Sequence, residues 1–83
     1  MNEDLENMIL YTLSKRGIGM RETSMLAMVR TAYSDRLLDD EKIMQSVRRL
    51  KDLGMVMTFP DFRGRPLYAL TDTGAACLRE QGL

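Results

Sequence analysis

Four polar residues recur at helical spacing within residues 40–53. They are Lys42, Gln45, Ser46 and Arg49. Side chains three or four positions apart share one face of an α-helix, and the apolar stripe of Ile43, Val47 and Leu50 marks another face. Glutamine can form two parallel hydrogen bonds to adenine, and arginine can do the same with guanine. The segment therefore offers a face suited to base recognition, although an ordinary solvated helix face has the same pattern.

A second basic cluster lies in residues 60–66, between two stretches of extended character. Its arginines, Arg63 and Arg65, flank Gly64, and glycine permits a tight turn. Guanidinium groups bind phosphate oxygens through charge-assisted hydrogen bonds, so this tip could contact a nucleic-acid backbone. Arginines at an exposed tip can also serve only to keep the protein soluble, and both interpretations stay open.

Acidic residues at the start of the same helical segment argue in the other direction. Asp39, Asp40 and Glu41 stand where the helix begins, and carboxylates there cap backbone N–H groups and complement the helix dipole. On a nucleic-acid surface they would oppose the phosphates. The chain has twelve basic and twelve acidic residues, whereas a dedicated DNA-binding domain usually has a basic excess.

The composition excludes several classes of protein. The 83 residues, 45% of them apolar, predict one globular domain over residues 1–83. One cysteine and no histidine make an internal disulfide or a zinc site unexpected. No apolar run approaches the roughly 18 residues of a membrane span, and the acidic N-terminus is unlike a signal peptide. We expect a cytoplasmic protein without contact to a membrane.

Enzymatic activity has little support in the sequence. No pair of titratable residues is embedded in an apolar pocket pattern, and no glycine-rich phosphate loop is present. We therefore expect no catalytic residue, no metal ligand and no cofactor.

The hydrophobic periodicity predicts seven elements in the order α, short β, α, α, β, β, α. The predicted helices cover 3–15, 22–33, 40–53 and a short segment after Thr71, and the predicted strands cover 18–20, 55–59 and 67–70. Asp39 and Thr71 are the predicted N-caps of the last two helices, and Gly54 is the residue expected just past the third helix. The second helix should bury Leu26, Val29 and Tyr33, with Met25 flanking them, while Leu37 and Leu38 fill the joint to the third helix.

Two local motifs carry a resemblance to a known fold. The segment RRLKDLGMV at 48–56 leads from a helix into the hairpin, and YALTDTG at 68–74 leads from a strand into the last helix. Together they resemble the second half of a winged helix-turn-helix domain, as in small bacterial regulators of the MarR, ArsR and PadR type. The implied fold is α+β, with a three-helix core, a two-stranded wing hairpin and a short C-terminal helix.

The resemblance implies a small transcription regulator, bacterial or phage-encoded, that binds double-stranded DNA and can form a homodimer. Helix 40–53 would recognise bases through Lys42, Gln45, Ser46 and Arg49. The wing, residues 60–66, would contact the backbone through Arg63 and Arg65. The alternative is a winged-helix adaptor, or a phage-encoded inhibitor, that binds a host protein.

Two aromatic residues, Phe59 and Phe62, flank the tip of the wing. On a DNA-binding wing they would brace the loop. On a protein-binding wing they would serve as anchors, because aromatic residues are enriched at the centres of protein interfaces. At least one of them should be partly exposed.

Overall fold

The computed structural model describes residues 3–32 and 38–81 of the chain. The elements in chain order are α1 (Glu3–Ser14), β1 (Met20–Arg21), α2 (Glu22–Ala32), α3 (Asp40–Asp52), β2 (Val56–Pro60), β3 (Pro66–Leu70) and α4 (Asp72–Glu80). The predicted order and the predicted α+β class are confirmed. Tyr33 and Leu37, which were predicted to be buried, lie outside the described residues, and Leu38 packs against the core, partly buried.

The three strands form one antiparallel sheet in the order β1-β3-β2. The hairpin of β2 and β3 pairs Val56 with Leu70 at one end and Pro60 with Pro66 at the other. The short first strand pairs Met20 with Tyr68, so the predicted single strand is confirmed, although it lies at 20–21 instead of 18–20. The sheet therefore begins beside the core and ends in the projecting wing.

The core is built around α1, which contacts α2, α3, α4 and β3. The apolar stripe of α3 is buried as predicted. The expectation that Met25 only flanks the buried side of α2 is wrong, because Met25 is fully buried. The reason is that α2 packs against α1, α3 and β3 at once, so its buried arc is wider than a single stripe.

Helix ends follow the predicted capping chemistry. The Asp39 carboxylate accepts a hydrogen bond from the Lys42 N–H at 2.9 Å at the start of α3. The Thr71 hydroxyl accepts one from the Gly74 N–H at 3.0 Å at the start of α4. Gly54 follows α3 with φ of +78°, a left-handed conformation that favours glycine. The Asp39 contact and Gly54 mark where α3 begins and ends, and the Thr71 contact marks where α4 begins.

The outer face of the sheet depends on a glycine in the loop before β1. Gly19 has φ of +100°, and a Cβ atom at this position would lie 2.8 Å from the Phe59 ring and 3.3 Å from Leu67. The ring of Phe59 therefore lies across β3 against the backbone of Gly19. The structure places Phe59 against the sheet, while the two alternatives for Phe59 and Phe62, bracing of the loop on a DNA-binding wing or anchoring of a protein partner, stay predictions.

The described helices and side chains add two further observations. None of the helices in residues 3–32 and 38–81 is long and apolar enough to cross a membrane. Within the same ranges, no group of three or more Asp, Glu, His or Cys side chains is placed to hold a metal ion.

Candidate nucleic-acid interface

The outward face of α3 presents part of the predicted set of polar side chains. Lys42 and Gln45 are exposed, whereas Ser46 and Arg49 are half-buried. Ser46 and Arg49 lie closer to the buried stripe because 3.6 residues per turn places them on its flank. The structure therefore does not bring all four residues onto one equally exposed surface. Arg48, which the predicted set did not include, is exposed on the outward side.

Arg49 contacts α1 in this structure. Its Nε–H donates a hydrogen bond to Glu6 Oε2 at 2.8 Å. The Glu6 side chain is only 12% exposed, while that of Arg49 is 41% exposed. A charged pair with one largely buried member positions the two helices relative to each other. A role for Arg49 in base recognition stays a prediction, and in this structure its Nε–H is engaged by Glu6.

The carboxylates at the start of α3 are compensated by nearby arginines. Asp40 Oδ1 lies 3.4 Å from Arg30 Nε of α2, and Glu41 Oε1 lies 3.5 Å from Arg48 Nη2. All four side chains are more than half exposed, so each pair contributes little to stability. The pairs mainly reduce the negative charge at the start of α3, because each of these two carboxylates has an arginine beside it.

The tip of the wing is organised by the side chain of Asp61. Its Oδ1 accepts hydrogen bonds from the backbone N–H groups of Arg63 at 2.8 Å and Arg65 at 2.9 Å. The Asp61 N–H donates to the Arg65 carbonyl at 2.8 Å, and the Gly64 N–H donates to the Asp61 carbonyl at 3.0 Å. Gly64 has φ of +82°, which closes the turn. Both arginines therefore project from a backbone of defined shape.

A salt bridge ties the tip of the wing to β1. Arg21 Nη1 donates to Asp61 Oδ2 at 2.9 Å, and the Asp61 side chain is only 6% exposed. The pKa of Asp61 lies below its ordinary value of 3.8. The hydrogen bond from the Arg65 N–H is the largest cause, burial opposes the shift, and the hydrogen bonds from the Arg63 N–H and Arg21 lower the pKa further. The carboxylate is thus ionised at neutral pH.

Asp61 and Arg21 were absent from the predicted site. An aspartate that opens a glycine-containing turn often hydrogen-bonds to backbone N–H groups two residues on, so this signal was present for Asp61. No local signal marks Arg21, because its partner lies 40 residues away in the chain.

The two wing arginines differ from those of α3 in having no carboxylate partner. Neither Arg63 nor Arg65 forms an ion pair within the part of the chain that the structure describes. The guanidinium carbon of Arg63 lies 5.4 Å from the centre of the Phe62 ring. The Phe62 side chain is 89% exposed. The tip thus combines two uncompensated positive charges with an exposed aromatic ring.

A buried tyrosine connects the sheet to the start of α2. The Tyr68 hydroxyl donates a hydrogen bond to Glu22 Oε1 at 3.0 Å. Burial, and then the Glu22 carboxylate, raise the pKa of Tyr68 above its ordinary value of 10.0. The contact fixes α2 against the strand that leads from the wing.

The similarity of this chain to known proteins is found in its fold. No known family matches the sequence, and no curated protein matches it. Solved structures do match. The PcaV transcriptional regulator from Streptomyces coelicolor, solved in complex with its natural ligand, superposes with a TM-score of 0.76 at 25% identity. A PadR family transcription regulator from Clostridium difficile R20291 also gives a TM-score of 0.76, at 17% identity.

The extent of these matches bears on what they imply. The match to PcaV covers 93% of this chain and only 50% of PcaV, so this chain spans half the length of that regulator. The match to the PadR family regulator covers 94% of this chain and 82% of that protein. The similarity therefore extends over nearly all of the helices, the sheet and the wing described above. This chain has the winged helix-turn-helix fold of bacterial transcription regulators.

Proposed function

We propose that this protein is a small DNA-binding transcription regulator that recognises bases with α3 and contacts the DNA backbone with the wing. The observation that carries the proposal is the wing tip, where Arg63 and Arg65 have no carboxylate partner among the described residues and are held in a defined turn. The fold shared with two transcription regulators supports the same function. The proposed partner is double-stranded DNA.

In this proposal α3 lies in the major groove with its outward face toward the bases. Gln45 is the residue we expect to pair with adenine, because a side-chain amide matches the N6 and N7 groups of that base. Lys42 and Ser46 would contact neighbouring base edges or phosphates. The charge of Arg49 is paired with Glu6, so we expect it to matter less than Gln45.

The wing supplies attraction to phosphates that does not depend on base sequence. Each phosphate neutralised by a lysine or arginine releases bound counterions, and the logarithm of the affinity then falls with the logarithm of salt concentration by about 0.9 per contact. Arg63→Ala and Arg65→Ala should each reduce this slope by about one unit and weaken binding to all duplex sequences alike.

The test measures binding to a random-sequence duplex across a series of salt concentrations. Arg79→Ala is the matched control, because Arg79 is an exposed arginine near the end of α4 and belongs to neither the wing nor α3. It removes the same charge and should leave the slope unchanged. Absence of binding at low salt, or equal slopes for the wing and control variants, would contradict the proposal.

Base recognition is tested separately by selecting preferred sites from a random DNA library. Gln45→Ala should relax the preference at particular base pairs, where a good bidentate contact is worth about 1–3 kcal/mol. Its salt slope should stay that of the wild type, because no charge is removed. If the protein acts as a homodimer on a palindrome, selected half-sites should lie about 10 bp apart or at a multiple.

A second candidate function is that of a winged-helix adaptor or inhibitor that binds another protein. The exposed Phe62 side chain favours it, because exposed aromatic residues often anchor protein interfaces. The double substitution Asp40→Asn with Glu41→Gln separates the two functions. It should strengthen non-specific DNA binding if α3 faces phosphates. It should slow association with a protein partner if the carboxylates pair with basic groups there.

A further inference from the structure

Phe62 is the most exposed large apolar side chain in the described part of the chain. Its exposure is 89%, whereas the aromatic ring nearest to it in sequence, Phe59, packs against Gly19 and the sheet. The hairpin is therefore braced without Phe62. A phenyl ring left in water forgoes the free energy that its burial would supply. A role in contacting a partner explains this placement better than a role in folding.

The backbone that carries Phe62 has a defined shape before any partner binds. The Asp61 carboxylate holds the N–H groups of Arg63 and Arg65, and Arg21 holds the carboxylate. The backbone of the tip therefore needs little further ordering when it meets its partner. A preorganised tip loses less conformational entropy on binding than a flexible loop does.

The charges beside the ring identify the class of partner. Arg63 lies over the Phe62 ring, and Arg65 projects from the same turn. Two uncompensated cations beside an exposed aromatic ring match a polyanion with apolar surfaces between its charges. Duplex DNA has this chemistry, since its grooves are bounded by phosphates and lined by sugars and base edges.

We propose that Phe62 enters the minor groove as an apolar wedge while Arg63 and Arg65 contact the flanking phosphates or the groove edges. Apolar side chains inserted between base steps unstack them in part and kink the duplex, and pyrimidine–purine steps deform most easily. Arg63 exchanges its contact with the ring for a contact with DNA. This inference rests on the proposed function and adds a mode of binding to it.

The wedge makes a contribution to affinity that does not depend on charge. Phe62→Ala should weaken duplex binding by about 5- to 150-fold, from the usual worth of a contact between an aromatic ring and a base. The salt slope should remain that of the wild type, whereas Arg63→Ala should flatten it. Phe62→Leu keeps an apolar side chain and should retain part of the affinity. Ile18→Ala is the control, because Ile18 is 85% exposed but lies in the loop before β1.

A fluorescent substitution reports the position of the ring directly. The chain contains no tryptophan, so Phe62→Trp introduces a single indole at the tip. Its emission should be quenched on adding a duplex, and it should shift to shorter wavelength. A matched Ile18→Trp protein should show no change. Duplexes carrying 2-aminopurine at a pyrimidine–purine step should brighten with the wild type and not with Phe62→Ala.

The outcomes separate the wedge from the proposed function. If the wild type binds no duplex at low salt, the proposed function fails. If the wild type binds and Phe62→Ala binds equally well, with the same thermal unfolding midpoint, the wedge is wrong while the regulator proposal stands. An indole at position 62 that stays as exposed in the complex as in the unbound protein would likewise overturn the wedge.

Discussion

The third helix and the wing both present arginines to solvent, but they hold them in different ways. Arg48 and Arg49 of α3 each lie within 4 Å of a carboxylate, from Glu41 and Glu6 respectively. In the wing the only carboxylate, that of Asp61, is turned inward onto backbone N–H groups and Arg21. The wing arginines therefore keep their charge uncompensated.

The difference indicates that the two regions have different roles in binding. Uncompensated charges act over distances of about a Debye length, roughly 8–10 Å in physiological salt, so the wing should supply most of the attraction to a polyanion. Paired charges act mainly at short range. On the proposed function, α3 would contribute contacts that depend on base identity, and the wing would contribute affinity for any duplex.

The regions also differ in what supports them. The inner face of α3 is fully buried through Ile43, Val47 and Leu50. In the wing tip all residues from Phe62 to Arg65 are exposed, and hydrogen bonds to Asp61 define the turn. Four experiments test this contrast, beginning with the one that should have the largest effect.

Leu50→Ala should remove the support of α3. Leu50 is 1% exposed, and truncation of a buried leucine costs about 2–5 kcal/mol of unfolding free energy. Urea unfolding followed by circular dichroism measures the loss. The exposed neighbour in the control variant Lys51→Ala should change stability by less than about 0.5 kcal/mol. A loss of that small size in Leu50→Ala would contradict the contrast.

Replacing the two left-handed glycines compares the regions under the same backbone strain. Gly54 and Gly64 have φ of +78° and +82°, and neither has an atom near the position of a new Cβ. An alanine in this conformation costs roughly 1–2 kcal/mol. Gly54→Ala should lower global stability by this amount, because α3 is packed on the core. Gly64→Ala should lower it less and increase hydrogen exchange in the wing, where the tip can relax locally. Equal losses of global stability would show that the wing unfolds only with the core.

A double-mutant cycle compares two of the ion pairs of α3. Glu6→Gln and Arg49→Gln, measured singly and together, should give a coupling energy of about 0.5–1 kcal/mol, because Glu6 is largely buried. The exposed pair of Glu41 and Arg48 is the control, with an expected coupling near zero. If the exposed pair couples as strongly as the other, burial of Glu6 is not what sets the strength of the contact.

Acid should loosen the wing before it unfolds the core. The folded pKa of Asp61 lies below its ordinary value, so its contribution to stability is present above pH 3.8 and is lost as the pH falls through the folded pKa. Amide chemical shifts of Arg63 and Arg65 should report this step, while that of Leu13, a buried residue of α1 remote in sequence from its carboxylates, stays unchanged. In Asp61→Asn the step should be absent. A simultaneous change at Leu13 would place the titration elsewhere.

Much of the fold was predictable because its signals are local. Helical periodicity placed the buried stripe of α3, and capping chemistry placed Asp39 and Thr71 at the starts of α3 and α4. Gly54 and Gly64 marked the end of α3 and the turn of the wing. These features depend on residues within a few positions of each other, so a sequence window contains the whole interaction.

The assignment of single side chains to a surface was less predictable. Helical spacing grouped Arg49 with Gln45, yet Arg49 turns to Glu6 of α1. Periodicity shows which side of a helix is polar, but it does not show which neighbouring helix supplies a carboxylate. For the same reason Met25, beside a predicted stripe, proved fully buried once three elements packed on α2.

The sequence alone thus determined the order of the elements, the starts of α3 and α4 and the basic character of the wing, because spacing and turn chemistry encode these within short segments. Only the tertiary structure decided which charges remain uncompensated. Glu6 meets Arg49 across 43 positions of sequence, and Arg21 meets Asp61 across 40. Such pairs form only when packing of the apolar faces around α1 brings distant segments together, and this packing leaves Arg63 and Arg65 exposed beside Phe62 at the tip of the wing.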